Sequence, residues 1–258
     1  MRAQHYSLFC DLTGRELRSR WSQSGAGWLW LVLSPLLLLS VYGFVFGIIF
    51  AARVPDDLQV SFIAWLAVGL WPWLAFSDST QQASQAMLQH RQLMSKIAVP
   101  RELLVLSSQA APFVIHSASF MLVLVVIHLL GNALNWFGLL HLFLLVGLLQ
   151  LFAMGLALWL ACAQVLFRDL KQILPTLMML WFFLTPIIYA PSLLPEPMQR
   201  WLALNPMTWW MEEIRAAMFL GKSWPDQALL GPLIISVGVL VSGVMVFRRL
   251  SPHFEDFL

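Results

Sequence analysis

The side chains that could perform chemistry in this chain do not form a recognisable catalytic motif. The sequence contains neither the His-Glu-x-x-His pattern of zinc hydrolases nor the Gly-x-Ser-x-Gly turn of serine hydrolases. Residues 221–223, Gly-Lys-Ser, resemble the end of a phosphate-binding loop, but Ala216 stands where that loop requires its first glycine. Cys10 and Cys162 are too few for a disulfide framework or a cysteine metal cage. We therefore predict no catalytic site, no metal site and no cofactor bound by this chain.

The ionisable residues inside the long apolar segments are three histidines, His116, His128 and His141. Carriers that couple transport to an ion gradient usually bury Asp or Glu within their membrane spans, and these apolar segments contain neither. Each histidine is therefore open to two interpretations. It is either a structural residue that is hydrogen-bonded to a neighbouring helix or a member of a proton relay.

The composition shows what kind of element must carry these residues. Apolar residues make up 60% of the 258 positions and charged residues 11%, whereas a soluble domain has about 45–50% and about 25%. A soluble enzyme or a disordered chain does not have this composition. A formal net charge of +2 provides no basic surface for a nucleic acid. The sequence therefore indicates an integral membrane protein.

Six apolar segments come close to the roughly 20 residues that a helix needs to cross a bilayer. Because backbone groups in lipid must be hydrogen-bonded internally, the fold class is an all-α protein with six transmembrane helices. The predicted spans are 29–52, 60–77, 111–131, 136–167, 172–190 and 228–247. With this topology, eleven of the 15 Lys and Arg residues face one side, and the other side has Arg53, Arg200, Arg215 and Lys222. The positive-inside rule then predicts that both termini are cytoplasmic.

Two segments on the predicted cytoplasmic side have helical patterns of their own. Residues 5–21 place aromatic and aliphatic side chains opposite arginines, as expected for a helix that lies in the membrane interface or that only anchors the chain. Residues 78–110 contain a short apolar face formed by Met87, Met94 and Ile97. That face either docks into a groove of a partner or folds back on its own helix bundle.

The segment 191–227, on the predicted outer side, is too apolar for an ordinary loop. Asn205 followed by Pro206 is typical of a helix start, with the asparagine as N-cap. A helix over 206–219 would be roughly 21 Å long, which is too short to cross the membrane. We therefore interpret 193–219 as two half-helices that enter the membrane from outside and return, as is tolerated where protein or a water-filled cavity surrounds them.

Six stretches, in the same order along the chain, resemble the membrane subunit of ABC-type polysaccharide exporters. They are RELRSRWSQSGAGWLWLVLSPLLLLSVYGFVFGIIF (15–50), GLWPWLAFSDS (69–79), LMSKIAVPRELL (93–104), FRDLKQIL (167–174), FFLTPIIYAPSLLP (182–195) and LNPMTW (204–209). The stretches 167–169 and 185–187 are more similar to the O-antigen branch than to the capsule branch; teichoic acid exporters are further relatives. The resemblance covers nearly the whole chain.

This resemblance implies a permease in the inner membrane of a bacterium. It implies a homodimer with two separate ATPase subunits, which hold ATP and Mg²⁺, and a lipid-linked polysaccharide on undecaprenyl diphosphate as cargo. The segment 88–100 would dock on the ATPase, and 193–219 would line the outer gate. The coupling residues implied in this way are Arg91, Met94, Lys96, Ile97 and Pro100.

Aromatic rings suit a sugar polymer because they contact its apolar C–H faces without a fixed charge. The candidate channel residues are Tyr42, Trp65, Trp181, Phe182, Trp209 and Trp210. Other tryptophans near predicted span ends suit a membrane-interface belt instead: Trp71, Trp73, Trp136, Trp159 and Trp224.

Arg15, Arg18 and Arg20 are candidates for binding the diphosphate of the carrier lipid, because guanidinium groups bind phosphate through two hydrogen bonds. The alternative is attraction to anionic lipid headgroups, worth about 1 kcal/mol per residue. An ATP-independent lipid scramblase or an ion-coupled carrier is the alternative for the function of the whole chain.

Overall fold

The computed structural model describes residues 2–22, 27–52, 54–55, 58, 60–94, 99–222 and 227–256, and within these ranges the chain is helical and contains no β-strand. The helices are α1 (Arg2–Ser22), α2 (Gly27–Tyr42), α3 (Phe62–Ser84), α4 (Ala86–Gln89), α5 (Arg91–Met94), α6 (Arg101–Leu129), α7 (Leu139–Leu166), α8 (Leu170–Phe183), α9 (Glu196–Ala203), α10 (Pro206–Phe219) and α11 (Leu230–Leu250). Helix α2 continues as a wider π-helix over Gly43–Ile49, and short 3₁₀ turns precede α7 and flank α11.

Three of the described helical segments are long and apolar enough to span a membrane. They are Arg101–Leu129, Trp136–Leu166 and Gln227–Phe254, and they contain most of the predicted third, fourth and sixth spans. Leu36–Ile49 and Leu170–Phe183 are apolar but shorter. The structure therefore supports a membrane protein with three clear spans in its described part, and a total of six stays a prediction.

Two predicted boundaries differ from the helices that form. The predicted fifth span, 172–190, is helical only to Phe183, because Pro186 disfavours helical backbone at the residue before it and lacks an N–H for the helix. The predicted cytoplasmic loop, 78–110, is largely helical, since α3 continues to Ser84 and α6 begins at Arg101. Polar side chains near the end of α3 bond back to its own carbonyls, as Ser79 does to Phe76 and Ser84 to Gln81.

Helix α3 is the central element of the bundle. From Ala64 to Trp73 its side chains are buried on all sides, and it packs against α6, α7, α8 and α10. Helices α7 and α11 pack closely because both have a glycine at their contact. A Cβ atom added at Gly155 of α7 would lie 2.5 Å from the backbone nitrogen of Leu240. This arrangement brings α10 beside α3 and α7, and α9 packs against α10.

A second cluster of buried side chains joins the elements at the other end of the bundle. Leu12 of α1 packs with Met87 of α4 and with Leu104 and Val105 of α6. A carboxylate oxygen of Glu16 lies 3.2 Å from Nε2 of His90. Helix α1 is thus a regular helix held against α4 and α6, and its position in the membrane interface stays a prediction.

Candidate functional site

Seven aromatic residues from five helices form a connected group in the core, which we call the aromatic cluster. Its members are Tyr42, Trp73, Phe76, Phe152, Trp181, Phe182 and Trp210. The ring of Tyr42 stacks on that of Phe182 with centroids 5.7 Å apart. Phe76 meets Trp181 edge-on at 5.3 Å. Rings at these separations attract one another through their faces and edges in addition to burying apolar area.

Four of the six candidate channel residues belong to this cluster: Tyr42, Trp181, Phe182 and Trp210. Trp65 lies elsewhere on α3, with its ring stacked at 6.1 Å from Phe62. Trp209 is 37% exposed and lies against Gly231, whose added Cβ would sit 3.2 Å from the indole ring. Because Trp65, Phe182 and Trp210 are buried in the core of a single chain, their role in a transport pathway stays a prediction.

Trp71 and Trp73 do not lie in an interface belt, contrary to the sequence-based interpretation. Both are almost completely buried, and Trp73 contacts both Trp181 and Phe182. The sequence signal for this burial is the run of apolar residues on every face of α3, which indicates a helix surrounded by protein. Trp159 is 42% exposed and Trp136 is half-buried; Trp224 lies outside the described residues.

A groove of about 230 Å³ borders the aromatic cluster between α2, α3 and α8. Tyr42, Trp73 and Phe182 form its aromatic wall, and Ser77 and Gln81 are its polar residues. The amide nitrogen of Gln81 donates to the hydroxyl and to the carbonyl of Ser77. The groove therefore combines ring faces with hydroxyl and amide groups.

Asn205 ties the start of α10 to the end of α8. Its side-chain oxygen accepts hydrogen bonds from the indole of Trp181 at 2.9 Å and from the backbone N–H of Met207 at 3.1 Å. Its amide nitrogen donates to the carbonyl of Leu184 and to the hydroxyl of Thr185, both at 3.0 Å. The predicted N-cap is thus present, and the same side chain also holds the turn after α8 and one ring of the aromatic cluster.

Arg215 of α10 is a buried cation that sequence reasoning counts only as one of the outer-side charges. Its side chain donates to the carbonyl of Pro186 at 2.6 Å and to that of Ile187 at 2.8 Å. The guanidinium carbon lies 3.4 Å from the centroid of the Trp65 ring. The turn after α8, helix α10 and helix α3 therefore meet at this side chain.

Each histidine in the apolar segments has a contact with a neighbouring element. His116 lies 3.2 Å from a carboxylate oxygen of Asp78, and His128 meets the ring of Trp136 edge-on. The third, His141, is completely buried with Nε2 3.4 Å from Glu213. A carboxylate beside His116 and His141 suits a structural contact as well as a proton relay, so both interpretations stay predictions. Within the described residues, no group of three His, Cys, Asp or Glu side chains is arranged to hold a metal ion.

The structure contains both short helices of the outer segment, as α9 and α10. A cleft of about 610 Å³ lies between them and the end of α8. It is lined by Trp181, Leu184, Tyr189, Leu194, Met198, Trp201, Leu202, Asn205 and Pro206. Entry of these helices into the membrane stays a prediction.

The described basic candidates of the predicted cytoplasmic side lie on α1 and on α5. Arg15 and Arg18 are exposed on α1, where the side chain of Arg20 is outside the described positions. The coupling residues span α5 and the start of α6. Arg91 is exposed, Met94 packs partly against the second buried cluster, Pro100 precedes α6, and Lys96 and Ile97 lie outside the described residues.

The position of Met87 distinguishes docking on a partner from folding back on the bundle, for its own part of the apolar face of 78–110. This side chain is completely buried in the second cluster, so this part of the face folds back on the chain's own bundle. Docking on a partner therefore depends on the segment that follows α4.

Comparisons with known proteins extend over the whole described architecture. Residues 7–219 match the protein family described as ABC-2 type transporter. The O-antigen export system permease protein RfbA of Myxococcus xanthus is 32% identical over 258 residues, covering 98% of this chain and 96% of that protein. RfbA of Klebsiella pneumoniae is 26% identical, covering 98% and 95%. The polysialic acid transport protein KpsM of Escherichia coli is 25% identical, covering 91% and 90%.

Proposed function

This chain belongs to the ABC-2 type transporter family, and we propose that it is the permease subunit of an ATP-driven exporter that moves an O-antigen-like, lipid-linked polysaccharide across the cytoplasmic membrane of a bacterium. The observation that carries the proposal is the end-to-end similarity to permeases named for O-antigen export. The polysialic acid transport protein matches 91% of the chain, against 98% for the O-antigen export permeases, and this fuller coverage supports an O-antigen-like cargo over a capsule polymer.

The energy for export would come from two ATPase subunits, which hold ATP and Mg²⁺ and act on a dimer of this chain. The surface proposed to contact them is the segment of Arg91, Met94, Lys96, Ile97 and Pro100. The exposure of Arg91 on α5 supports this assignment. Because Met94 packs partly against the second cluster, movement of the segment would be transmitted to α4 and α6.

The aromatic cluster would provide a route along which no charged side chain of the protein holds the polymer. Sugar rings have apolar C–H faces and polar edges, and the groove beside Tyr42, Trp73 and Phe182 offers rings together with Ser77 and Gln81. Contacts of this kind are broad and weakly directional, so a chain can slide along them. For transport, α8 would separate from α3 and expose the rings that the closed arrangement buries.

The positively charged start of the pathway would be the arginines of α1. Arg15 and Arg18 are exposed on this helix, and together with Arg20 they would bind the diphosphate of the carrier lipid through paired hydrogen bonds. General attraction to anionic headgroups is the alternative, and it predicts that lysine replaces each arginine without loss of export.

The first test is purification in mild detergent from the native host, followed by mass determination of the proteins that elute with this chain. We expect an ATPase with phosphate-binding loops in equal numbers of copies. Recovery of this chain alone, from a preparation that retains other membrane complexes, would contradict the proposal and favour an ATP-independent scramblase or an ion-coupled carrier.

The second test reverses the charge of the proposed docking segment. Arg91→Glu combined with Lys96→Glu should leave the protein folded and ATP hydrolysis active, but it should abolish surface display of the polymer, because the ATPase no longer moves the permease. Arg249→Glu is the matched control, since Arg249 is an exposed cation at the end of α11, outside the proposed docking segment and the proposed gate. Normal export by the double variant would exclude this docking surface.

A further inference from the structure

Arg215 is the most deeply buried cation among the described residues, and its surroundings are unusual for a charged group. Only 6% of the surface of Arg215 is exposed. No carboxylate in the described part of the chain forms an ion pair with its guanidinium group, and Glu212, one turn earlier in α10, interacts with it only electrostatically. The partners are instead two backbone carbonyls and the face of an indole ring. A buried charge without a directly bonded opposite charge is costly, and in membrane proteins such a residue commonly has a functional role.

The space around the guanidinium group is shaped for it. Gly69 lies one turn after Trp65 on α3, and a Cβ atom added there would sit 2.5 Å from Nη2 of Arg215. A side chain at residue 69 would therefore displace the planar group from the Trp65 ring. Lysine does not reproduce this fit, because its point charge lacks the planar fork that stacks on a ring and donates two hydrogen bonds.

The contacts of Arg215 divide into two sets. The hydrogen bonds to Pro186 and Ile187 join α10 to the turn after α8. Asn205 joins the same two elements from the start of α10. We call residues 184–190 and α10 the turn–α10 unit. Across the boundary to α3, by contrast, Arg215 makes a stacking contact with Trp65.

We propose that Arg215 is a positioning residue, and that its contact with Trp65 is the latch that holds the turn–α10 unit against α3 in the closed permease. Opening would move the unit away from α3 while the guanidinium keeps its two carbonyl partners. This inference rests on the proposed function, in which α10 belongs to the outer gate. On opening, the stacking of Arg215 on Trp65 breaks, and its hydrogen bonds to Pro186 and Ile187 stay.

The geometry explains why the latch has this chemistry. A cation stacked on an aromatic face is a weaker contact than a buried ion pair, so a conformational change driven by ATP can break it. Breaking the contact exposes the ring but leaves both carbonyls hydrogen-bonded. An ion pair in the same place would leave an unpaired buried carboxylate on opening, which is much more costly.

The test uses Trp65 rather than Arg215, because removing the buried cation would also leave two carbonyls without partners. Trp65→Leu removes the π-face and keeps an apolar side chain, and Trp65→Phe keeps a weaker face. The matched control is Trp71→Leu. Trp71 is a completely buried tryptophan of the same helix, and its replacement removes the same volume.

The permease with its ATPase is reconstituted in vesicles that contain a fluorescently labelled oligosaccharide, and efflux is measured without ATP. We expect Trp65→Leu to release the probe roughly tenfold faster than the wild type, with Trp65→Phe between them, because the closed state has lost its stacking contact. Trp71→Leu should stay at the wild-type rate per folded molecule. Equal rates for the two leucine variants would show that the contact between Arg215 and Trp65 does not hold the closed state.

A second measurement separates this inference from the proposed function. Hydrogen exchange of the purified wild type and the two leucine variants is followed at 184–190, at 206–219 and at α3. Trp65→Leu should raise exchange in the turn and in α10 together, and more than Trp71→Leu does. Faster exchange in α10 alone, with the turn unchanged, would show that residues 184–190 and α10 do not move together. If the exchange result holds while the wild-type complex does not move a lipid-linked polymer with ATP, the export proposal fails and the latch stands.

Gly69→Ala provides an internal check on the position of the guanidinium. The added Cβ should push it off Trp65 and increase efflux in the wild-type background. In an Arg215→Lys background, where the planar group is absent, the same glycine substitution should have no further effect. An additive effect of the two substitutions would contradict the proposed geometry.

Discussion

Replacing Asn205 with alanine should loosen the connection between α8 and α10 more than any ordinary loop substitution. Four hydrogen bonds converge on this one side chain, two accepted and two donated. Alanine removes all of them and leaves the indole N–H of Trp181 without its partner. The change acts at the start of α10 and at the end of α8 simultaneously.

The expected loss in the free energy of unfolding is about 3 kcal/mol. An N-cap replaced by alanine costs about 1 kcal/mol. The other three hydrogen bonds contribute about 0.5 to 1 kcal/mol each, at the lower part of the usual range because Asn205 is half-buried and water can replace some partners. At roughly 2–4 °C per kcal/mol for a chain of about this size, the melting temperature should fall by about 6–12 °C.

The chain supplies its own probe for this measurement. Cys162 of α7 is 2% exposed and Cys10 is exposed, so Cys10→Ser leaves one thiol that a fluorogenic reagent reaches on unfolding. Asn205→Ser separates the contributions, because serine keeps the N-cap and loses the contacts with Trp181 and Leu184. It should recover about 1 kcal/mol of the loss.

Asn132→Ala is the matched control for this prediction. Asn132 accepts from the backbone N–H of Ser61 and donates to the carbonyl of Ile127, so it has two bonds where Asn205 has four. Its replacement should lower the melting temperature by less than half as much. If Asn205→Ala and Asn132→Ala shift the melting temperature equally, the four-bond network contributes nothing beyond a local turn and our reasoning is wrong.

Two further stability predictions use the same thiol assay. Gly155→Ala should destabilise the protein by about 2 kcal/mol, because the new Cβ meets the backbone of Leu240; Gly147→Ala, in the same helix but with open space around it, should be neutral or stabilising, and equal effects would refute the close packing of α7 and α11. Gln109 and Gln150 exchange hydrogen bonds of 2.8 and 2.6 Å, so Gln109→Leu should cost about 1 kcal/mol by leaving the half-buried amide of Gln150 without its partner. Adding Gln150→Leu should recover part of that loss, and a further loss of equal size would show that the two amides act independently.

The sequence predicts best the elements whose signals are local. Helix α10 begins and ends at the predicted residues, because Asn205 and Pro206 set its start within one turn. The span predicted at 136–167 agrees with Trp136–Leu166, since a long uninterrupted apolar run is sufficient evidence for such a helix. The predicted end of the fifth span, residue 190, is wrong because composition and backbone signals disagree there. Apolar composition continues to residue 190, but Pro186 determines the backbone, and a count of apolar residues does not include that effect.

The candidate site could be predicted only in part, because its members meet through packing between helices. Aromatic chemistry alone identifies Tyr42, Trp181, Phe182 and Trp210 as candidates. It does not identify Phe76 or Phe152, whose places depend on how α3 and α7 face α8. Arg215 illustrates the same limit. A charge count assigns it to the outer surface, whereas Gly69 and Trp65, about 150 positions earlier, make the space in which it is buried.

The types of contact around the turn–α10 unit determine where the molecule can open. Within the unit, the two buried hydrogen bonds of Arg215 and the half-buried ones of Asn205 join its parts, and losing a buried one leaves an unsatisfied polar group at about 1–3 kcal/mol. Towards α3, Arg215 and the rings of α8 make stacking and edge contacts, each worth about 0.5–2 kcal/mol and replaceable by contact with a sugar face. The polar contacts therefore favour opening of α3 from α8 and the turn–α10 unit over division of the unit itself. That boundary contains the groove of Tyr42, Trp73 and Phe182, so the surface proposed to open coincides with the proposed path of the polymer.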